Sequence, residues 1–406
     1  MSFHIRDNCR LCFSRELTKV LQLKPTPLAN EFVQFHNIKQ KQEKYPLFLV
    51  QCNYCKHVQL PVVVNPSRLF SNYLYVSGTS SSFVDHFRNY AANAILAYDL
   101  MPGDLVVEIG SNDGTLLNFF KQAGMKVLGI DPAVAISKFA NESGVETICD
   151  FFNAQTVELI KSKYGNPKLV IANNVFAHAD DLYDIAKGIK DLLEPNNGNF
   201  IFEVQYLPDL IQNTLFDMIY HEHLSYHSVL PLVSFFNKID MKLINVNHVN
   251  THGGSIRVSV SVNKQLEENI NVKDFIKKEE RSLNNYSFKA LGERIDNLAE
   301  ELRLLLNSEN GSVIGYGAPA KLTTLMHQFQ LEGSDFDYIV DDSPWKQGLF
   351  SPGLHIPVVS ASHMVNSNIQ PSKIVIFAWN YAESIANKFP QFKGKFIKPL
   401  PFLKVF

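Results

Sequence analysis

A short apolar run followed at once by glycine limits what this chain can fold into more than any other stretch. Residues 105–109 (LVVEI) are rich in β-branched side chains and uncharged up to Glu108, as in a buried parallel strand. Gly110 and Gly114 follow, and residues 115–123 then repeat their apolar positions at helical spacing. Glycines let the turn between strand and helix tighten, so a ligand can reach bare backbone at the helix N-terminus. The stretch predicts a βα turn that binds a cofactor.

The residues around this turn favour S-adenosylmethionine (SAM) over a dinucleotide, and a plain structural turn is the alternative. The turn lacks the G-x-G-x-x-G spacing of dinucleotide sites. A second strand, residues 126–130, ends in Asp131, where a carboxylate can accept hydrogen bonds from ribose hydroxyls. We expect Glu108 to hold the amino-acid end of the cofactor and the residues after a third strand, 146–149, to contact adenine. The predicted cofactor-binding residues are Glu108, Gly110, Asn112, Gly114, Asp131, Asp150, Phe151 and Asn173.

Length and composition exclude several classes of protein. A chain of 406 residues is too long for one ordinary core, so two or three domains are expected. A formal net charge of −2 provides no basic field for nucleic acid or for an acidic membrane surface. The sequence has no apolar run of membrane-spanning length, and its first residues are polar where a signal peptide would be apolar. We predict a cytoplasmic protein that is a monomer or a small homo-oligomer.

Four of the five cysteines form two identical pairs, Cys9-x-x-Cys12 and Cys52-x-x-Cys55, separated by 39 residues. A C-x-x-C turn presents two thiolates to one metal ion, and four thiolates complete a tetrahedral zinc shell with no open position. We predict a structural zinc site. Two disulfides or free thiols are the alternatives, and a cytoplasmic setting argues against disulfides. The fifth cysteine, Cys149, is expected to pack as a small apolar side chain.

The region around the cysteine pairs shows little regular pattern. It contains a proline-set turn over residues 24–30 and one strand over residues 45–50, and we expect a compact zinc module over residues 1–68. A polar loop with two tyrosines, residues 73–82, follows, and it is either a connector or a cover over an active site. A helix over residues 86–100 then leads into the first strand of the next domain.

Strands and helices alternate from residue 105 onward, which predicts a doubly wound α/β sheet. Two of its later strands span residues 169–173 and 199–204. Ligands of open α/β sheets bind beyond the carboxyl ends of the strands, and His178 follows such an end. His178 is therefore either a site residue or an ordinary hydrogen-bonded histidine.

Two further strands, residues 241–248 and 255–262, flank a glycine turn that contains His252. A hairpin is the simple interpretation of this turn. Arg257, on the second strand, either pairs with a phosphate or faces solvent. A charged helical stretch over residues 272–307 follows and is expected to connect two compact regions.

Residues 217–226 (DMIYHEHLSY) form the densest group of titratable side chains in the chain. One interpretation is a metal site that uses His221 and His223, although no third ligand is evident nearby, and another is a solvated loop. The acid–base interpretation assigns proton removal to His223, orientation of a histidine to Glu222, and hydrogen bonding to developing charge to Tyr220. We favour this last interpretation.

A second strand–glycine–helix unit begins near residue 312. In the sequence GYGAPAK, residues 315–321, a helix is predicted to open at Pro319, so its first backbone amides can bind a phosphate. Residues 338–342 supply a strand that ends in two acids, residues 346–348 (KQG) are interpreted as a turn, and residues 373–377 are a later strand. A second nucleotide-type α/β domain is expected.

The order of motifs resembles the family of sugar C-methyltransferases over essentially the whole chain. The motifs are two C-x-x-C pairs, VVEIGSNDG, GIDPA, NNVFAH, IYHEH, HGGS-x-R, GYGAPAK and an acidic segment followed by KQG and SPG. The resemblance implies α/β architecture with a small zinc-binding N-terminal module (residues 1–68), a central doubly wound, Rossmann-like SAM-methyltransferase domain (69–265) and a second Rossmann-like α/β domain (266–406) that helps bind a nucleotide sugar. One departure is Asp342-Ser343-Pro344, where relatives often carry Asn-Pro after the acid.

The resemblance also implies roles for individual residues. The zinc ligands fall on the four paired cysteines, and the favoured catalytic base is His223. The other implied catalytic residues are Tyr220, Glu222, His178 and Tyr75, with Tyr73 as the alternative tyrosine in the loop. The predicted substrate contacts are Tyr73, His252, Arg257, Gly315, Tyr316, Gly317 and Lys321.

The predicted activity is SAM-dependent methylation at C-3 of a 4-keto-6-deoxy sugar linked to dTDP or GDP, with thymidine as the default nucleotide. In this mechanism His223 removes the C-3 proton, and Tyr220 or His178 stabilises the enolate oxygen. An O- or N-methyltransferase acting on a related sugar nucleotide is one alternative. That reaction needs a base, but its substrate needs no ketone. A non-catalytic sugar-nucleotide binding protein with a vestigial SAM fold is another.

Overall fold

The computed structural model describes residues 2–70, 78, 81–251, 253–308, 311–367 and 370–406. Its first region is built on a two-stranded pair, β1 with β5, and on a sheet in which β2, β3 and β4 are antiparallel neighbours. The bounds of these elements are β1 Phe3–Ile5, β2 Leu17–Thr26, β3 Tyr45–Cys52, β4 Val58–Gln59, β5 Val62–Val64 and α1 Pro66–Phe70.

One strand in this region was absent from the sequence-based prediction. The ten residues of β2 run through positions treated as irregular and into the predicted proline turn. Register irregularities between Lys19 and Leu21 and between Leu23 and Thr26 interrupt its pairing with β3. Because each irregularity shifts the side-chain alternation, the period of two that marks a strand is not visible in the sequence. The predicted strand at residues 45–50 is confirmed and extends to Cys52.

A seven-stranded sheet in the order β12-β13-β10-β9-β6-β7-β8 forms the middle of the molecule. Strands β6 to β10 are parallel, which confirms the predicted doubly wound sheet, and β13 runs antiparallel to both of its neighbours. The bounds are β6 Leu105–Ile109, β7 Lys126–Ile130, β8 Thr147–Ile148, β9 Leu169–Asn173, β10 Asn199–Gln205, β12 Lys242–Val249 and β13 Ser255–Ser261.

Helices cover both faces of this sheet and lead to the last region. They are α2 Ser81–Ala97, α3 Thr115–Gln122, α4 Val134–Glu142, α5 Ala154–Lys163, α6 Leu182–Leu193, α7 Leu207–Gln212, α8 Val229–Lys238, α9 Ile270–Ser282 and α10 Asn285–Asn307. The predicted single helical stretch is two helices, because the side chain of Asn284 caps a new helix through the backbone N–H of Ser287. Cys149 is exposed rather than packed, since β8 ends one residue before it at the edge strand of the sheet.

The last region is a second α/β unit with a six-stranded sheet in the order β16-β15-β14-β17-β18-β19. All its pairs are parallel except β18 with β19. The bounds are β14 Val313–Tyr316, α11 Lys321–Gln328, β15 Ile339–Val340, β16 Val358–Val359, α12 Ala361–Asn366, β17 Lys373–Ile376, α13 Ala382–Asn387, β18 Lys395–Lys398 and β19 Lys404–Val405. Helix α11 begins at Lys321, two residues after the predicted start at Pro319.

The three regions share buried surface. One apolar cluster joins β2 and β3 of the first region, residues 207–226 and the core of the last region, and the rings of Phe216 and Phe329 lie 5.2 Å apart within it. A two-residue strand, β11 (Ser225–Tyr226), leaves the middle of the chain and pairs with β4. The domain boundaries at residues 68 and 265 stay a prediction. None of the helices in the described part of the chain has the length and apolar character that crossing a bilayer requires.

Candidate active site

A cleft of about 960 Å³ opens at the carboxyl edge of the middle sheet, and all three regions contribute to its walls. The ends of β6, β7, β9 and β10 form one side, and the turn after β14 forms another. The predicted site residues that line it are Glu108, Gly110, Asn112, Asp131, Asp150, Phe151, Asn173, His178, Tyr220, His223, Gly317 and Lys321.

The turn after β6 has the conformation that its glycines predict. Gly110 has a φ of +67°, and a Cβ added there would meet the side chain of Val175, so only glycine fits this position. Gly114 has a φ of +76° and is the N-terminal cap residue of α3, just behind the cleft wall. Asp131 accepts hydrogen bonds from the backbone N–H groups of Asn112 and Ala133, at 2.9 Å each, which fixes its carboxylate beside the turn.

Two buried polar side chains face the cleft with groups that lack partners in the described part of the structure. Burial raises the pKa of Glu108 well above its usual value, and the nearby carboxylates of Asp113 and Asp131 raise it further. One carboxylate oxygen of Glu108 has no hydrogen-bond partner among the described residues, and neither has the side-chain amide nitrogen of Asn173. A cation beside Glu108 would restore its ionised form, because an opposite charge offsets the cost of desolvation.

The centre of the cleft contains a cluster of rings. His178 and His223 have ring centroids 5.0 Å apart, and the centroid of Tyr220 lies 4.1 Å from that of His223. Phe70 stacks on His178 at 5.7 Å. His178 comes from the loop after β9, and the other two come from residues 219–224, which are held between the first and last regions.

The protonation state of His223 follows from its contacts. Its Nδ1 lies 2.7 Å from the backbone oxygen of Met218, and a carbonyl only accepts, so Nδ1 carries the proton. Burial lowers the pKa of His223 to about 4 and that of His178 well below its usual value, where His223 lowers it further. Both rings are therefore neutral near pH 7, and Nε2 of His223 has a free lone pair to accept a proton.

Neighbours of His223 in the sequence have other roles. His221 is buried, donates from Nε2 to the backbone oxygen of Pro46, and packs against the ring of Tyr45. Glu222 lies behind the cleft wall, where one of its carboxylate oxygens accepts a hydrogen bond of 2.7 Å from the side-chain amide of Asn30. Among the described residues, the paired cysteines are the only group of three or more potential ligands close enough to share a metal ion. The alternative metal site that would use His221 and His223 is therefore not formed.

The wall contributed by the last region carries a buried lysine. The ammonium group of Lys321 lies 3.5 Å from the ring centre of Trp379 and donates to the side-chain oxygen of Asn380 at 3.0 Å. Burial lowers the pKa of Lys321 to about 8, and the negative charge of Asp217 opposes this shift. The indole N–H of Trp379 donates to the carboxylate of Asp217 at 2.6 Å, so Trp379 contacts both Lys321 and Asp217. Lys321 remains mainly cationic near pH 7.

Several predicted substrate contacts are not brought to the cleft wall. Arg257 forms an ion pair with buried Glu203 at 2.5 Å and lies over the ring of Tyr90. Gly315 and Tyr316 lie within buried β14, where the hydroxyl of Tyr316 donates to Asp342. Tyr73, Tyr75 and His252 fall outside the described residues, so their predicted roles stay predictions.

Sequence reasoning missed several polar residues that line the cleft, among them Lys346, Asn30 and Gln205. Lys346 belongs to the KQG segment that was interpreted as a turn, and its ammonium group donates to the backbone oxygen of Ala318 at 2.9 Å. Asn30 lies in the predicted proline turn and was treated as a loop residue. The amide of Gln205, at the end of β10, is buried and has no partner for either polar atom among the described residues. The signal that could have found Gln205 is its position at the carboxyl end of a predicted parallel strand, where ligands of open α/β sheets bind.

The four paired cysteines meet as predicted. Their sulfur atoms all lie within 4.8 Å of one another, with 3.5 Å between those of Cys9 and Cys55 and 3.4 Å between those of Cys12 and Cys52. A tetrahedral Zn–S distance of about 2.3 Å requires sulfur atoms about 3.8 Å apart. The cluster therefore fits one zinc ion with a complete shell, and no position is left open for substrate.

Three family models match consecutive parts of the chain. They are a zinc binding domain at residues 9–70, a methyltransferase domain at residues 84–246 and a C-methyltransferase C-terminal domain at residues 250–401. The C-methyltransferase NovU of Streptomyces niveus is 33% identical over 404 residues, which cover 97% of this chain and 96% of that protein. The chain belongs to the C-methyltransferase family. It is therefore a SAM-dependent enzyme that transfers a methyl group to carbon, and the predicted zinc module, methyltransferase domain and C-terminal domain are confirmed.

Two solved structures of methyltransferases each match less than half of this C-methyltransferase. A SAM-dependent methyltransferase of Clostridium acetobutylicum is 12% identical with a TM-score of 0.35, covering 44% of this chain and 92% of that one. The magnesium protoporphyrin IX methyltransferase of Synechocystis with bound SAM is 14% identical with a TM-score of 0.33, covering 44% and 78%. Scores this low carry no argument about the site.

Replacing one zinc ligand should remove the metal and destabilise the first region. We expect Cys52→Ser to lose the zinc ion and to lower the unfolding midpoint by about 10 °C or more, because the metal–thiolate bonds exist only in the folded chain. Cys149→Ser is the matched control, since Cys149 is exposed and distant from the cluster in sequence. Metal analysis and thermal unfolding measure both effects. Full zinc content in Cys52→Ser would contradict the assignment.

The activity should stay high at mildly acidic pH. A base works in its deprotonated form, and burial lowers the pKa of His223 to about 4, so protonation removes the lone pair only as the pH falls toward 4. His178, which faces the ring, has a pKa well below its usual value and is also neutral in this range. The turnover rate, measured between about pH 5 and about pH 8, should show no histidine step near the unperturbed pKa of about 6.5. Such a step would show that His223 is solvated.

Proposed function

We propose that this C-methyltransferase acts at C-3 of a nucleotide-linked 4-keto-6-deoxy sugar. The observation that carries the proposal is that one cleft is lined by the neutral His223, by the βα turn after β6 and by two lysines of the last region. A hydrogen on the carbon next to a ketone is acidic, because the resulting anion delocalises onto oxygen. Carbon methylation therefore needs one base, a group that stabilises an oxyanion, and a methyl donor held in line.

His223 is the base in this proposal. Its Nδ1 proton is fixed by the backbone oxygen of Met218, so Nε2 is the atom that accepts the C-3 proton. After the transfer, the ring carries a positive charge that the same carbonyl stabilises through a charge-assisted hydrogen bond. A single base of this kind accelerates a reaction by about 10²–10⁴-fold.

Tyr220 and His178 are the groups placed to stabilise the enolate oxygen. Both rings lie next to His223, and a tyrosine hydroxyl or a neutral imidazole N–H can stabilise an oxyanion without bringing a positive charge that would compete with the base. Glu222 supports them from behind, because its hydrogen bond to Asn30 ties residues 219–224 to the first region. Tyr75, with Tyr73 as the alternative, is proposed as a further catalytic tyrosine on the strength of the family resemblance alone.

The βα turn after β6 is proposed to hold the methyl donor. SAM supplies an electron-poor methyl group that a carbanion can attack. Glu108 would pair with the ammonium group at the amino-acid end of SAM. This pairing would offset the burial that raises the pKa of Glu108 well above its usual value. Asp131 would accept ribose hydroxyls, and Asp150 and Phe151 would flank the adenine, since all three line the same side of the cleft. Gly110, Asn112, Gly114 and Asn173 complete the proposed contacts.

The opposite wall is proposed to hold the diphosphate of the nucleotide sugar. Lys321 and Lys346 provide two cations there, and Gly317, whose φ is +86°, also lines this wall. The side-chain amide of Gln205, which has no partner among the described residues, can bond a sugar hydroxyl because it offers both a donor and an acceptor. His252, Arg257, Gly315 and Tyr316 stay predicted substrate contacts without support from the described geometry.

The decisive experiment is mass spectrometry of the product after incubation with SAM and a 4-keto-6-deoxy sugar linked to dTDP or GDP in heavy water. We expect a gain of one methyl group, and deuterium at C-3 when SAM is omitted. Methylation without exchange would indicate transfer to oxygen or nitrogen. SAM binding with no reaction on either sugar would overturn the substrate proposal, and absence of SAM binding would indicate a non-catalytic protein.

Replacing the proposed base should slow proton exchange at C-3 without changing the binding of SAM. We expect His223→Ala to lower C-3 proton exchange and turnover by about 10²–10⁴-fold, because it removes the nitrogen proposed to accept the C-3 proton. The equilibrium affinity for SAM should be unchanged. His363→Ala, at an exposed position on α12, is the control. Exchange at the wild-type rate would exclude His223 as the base.

Removing the cation of Lys321 should weaken the binding of the sugar nucleotide but not that of SAM. We expect Lys321→Met to raise the KM for the nucleotide sugar by about tenfold or more, since a charged hydrogen bond contributes about 1.5–3 kcal/mol. Lys388→Met, which removes a lysine that pairs with Asp342 at the surface, is the control. Steady-state kinetics with each substrate varied in turn measures the effect. An increase in the KM for SAM alone would contradict the proposal.

A further inference from the structure

A fully buried arginine lies within the first C-x-x-C pair. Arg10 is 1% exposed, and its backbone N–H donates to the side-chain oxygen of Gln59. Its guanidinium group makes no contact with the surface and instead reaches three separate segments of the chain. A charge this deeply buried is maintained only where its partners compensate for the lost hydration.

The first partner of Arg10 belongs to the loop that carries His178. Nε of Arg10 donates to the carboxylate of Asp180 at 3.1 Å, and Nη2 lies 2.9 Å from the same oxygen. Asp180 follows His178 by two residues and lines the cleft. Arg6 binds the same loop, with a hydrogen bond of 2.6 Å to the backbone oxygen of Asp180.

The second partner belongs to the segment that carries His223. Nη1 of Arg10 donates to the backbone oxygen of Leu224 at 3.1 Å and to that of Leu60 at 2.8 Å. Leu224 is the residue next to His223. One planar guanidinium group thus binds both the loop that carries His178 and the segment that carries His223. The two histidine rings lie 5.0 Å apart.

We propose that Arg10 is a positioning residue for the two histidines, and that the zinc-bound C-x-x-C turn serves catalysis by fixing Arg10. This inference rests on the proposed roles of His223 and His178. Arg10 is not among the residues that line the cleft, and it acts by holding the two loops so that both rings face the same substrate. A lysine cannot replace it fully, because an ammonium group lacks the planar set of donors that reaches Asp180 and Leu224 together.

The contacts of Arg6 make it a matched control. Arg6 pairs with the Asp180 carboxylate at 3.2 Å, yet it makes no contact with Leu224. Arg6→Met therefore removes one cation from the loop of His178 and leaves the segment of His223 tied. Arg10→Met removes the only side chain, among the described residues, that binds Asp180 and Leu224 at once.

The test compares C-3 exchange, turnover, zinc content and SAM affinity in Arg10→Met, Arg10→Lys and Arg6→Met. We expect Arg10→Met to lower kcat about tenfold to a hundredfold, since a shift of about 1 Å between reacting groups costs about this much. The KM for SAM and the zinc content should stay unchanged, Arg10→Lys should recover part of kcat, and Arg6→Met should change it by less than about threefold. Equal kcat in Arg10→Met and Arg6→Met would overturn the proposal. A loss of zinc and SAM binding in parallel with kcat would assign Arg10 a purely structural role.

Two further measurements keep the test decisive. If Arg10→Met does not fold, Asp180→Asn tests the same ion pair from a partly exposed position, and an unchanged kcat there would overturn the proposal. Nitrogen NMR of the histidine rings needs no substrate: the signals of His178 and His223 should shift in Arg10→Met, while that of exposed His363 should not. This readout stands even if the wild-type protein exchanges no sugar, so failure of the proposed substrate and failure of the positioning role are distinguishable.

Discussion

The rest of the active site depends on one short backbone pairing. Residues Ser225 and Tyr226 leave the middle of the chain and add a strand to the sheet of the zinc-binding region, where they pair with Val58 and Gln59. This pairing begins two residues after His223, and the N–H groups of Leu224 and Ser225 both donate to the backbone oxygen of Ala177, which precedes His178. The two histidine loops are therefore tied to each other and to a sheet that the cysteine cluster organises. The zinc-binding region is thus part of the wall of the active site.

Burial sets the chemistry of this site. Ionisable side chains in the cleft are desolvated, which keeps His178 and His223 neutral, lowers the pKa of Lys321 and raises that of Glu108. A histidine with a lowered pKa is a weak base, so the proposed reaction depends on stabilising the enolate oxygen as it forms. Buried Glu108 suits a cationic ligand group and Lys321 suits an anionic one. The cleft thus carries an acidic and a basic side chain, each of which suits a ligand group of opposite charge.

Much of the fold could be predicted because its signals are local. Strands β6, β7 and β9 were predicted to the residue, since each is a continuous apolar run that ends at glycine or at a polar side chain. The cysteine cluster followed from two equal spacings. Strand β2 was missed because its irregular pairing hides the alternation, and the start of α11 was misplaced because Pro319 favours a first turn without requiring it. These errors arise where tertiary pairing overrides local preference.

The sequence by itself determined the chemistry available to this protein: a glycine turn for a cofactor, four thiolates for a metal, and a cluster of histidine, tyrosine and carboxylate side chains. Only the tertiary structure decided which of these groups meet. It separated His221 from His223, although they are two residues apart, because the chain between them turns one ring toward Pro46 and the other toward the cleft. It also determined what surrounds Arg10, Lys346 and Gln205, which no motif or spacing in the sequence predicts. Distances between loops are set by packing over the whole chain, and packing has no signature in a short stretch of sequence.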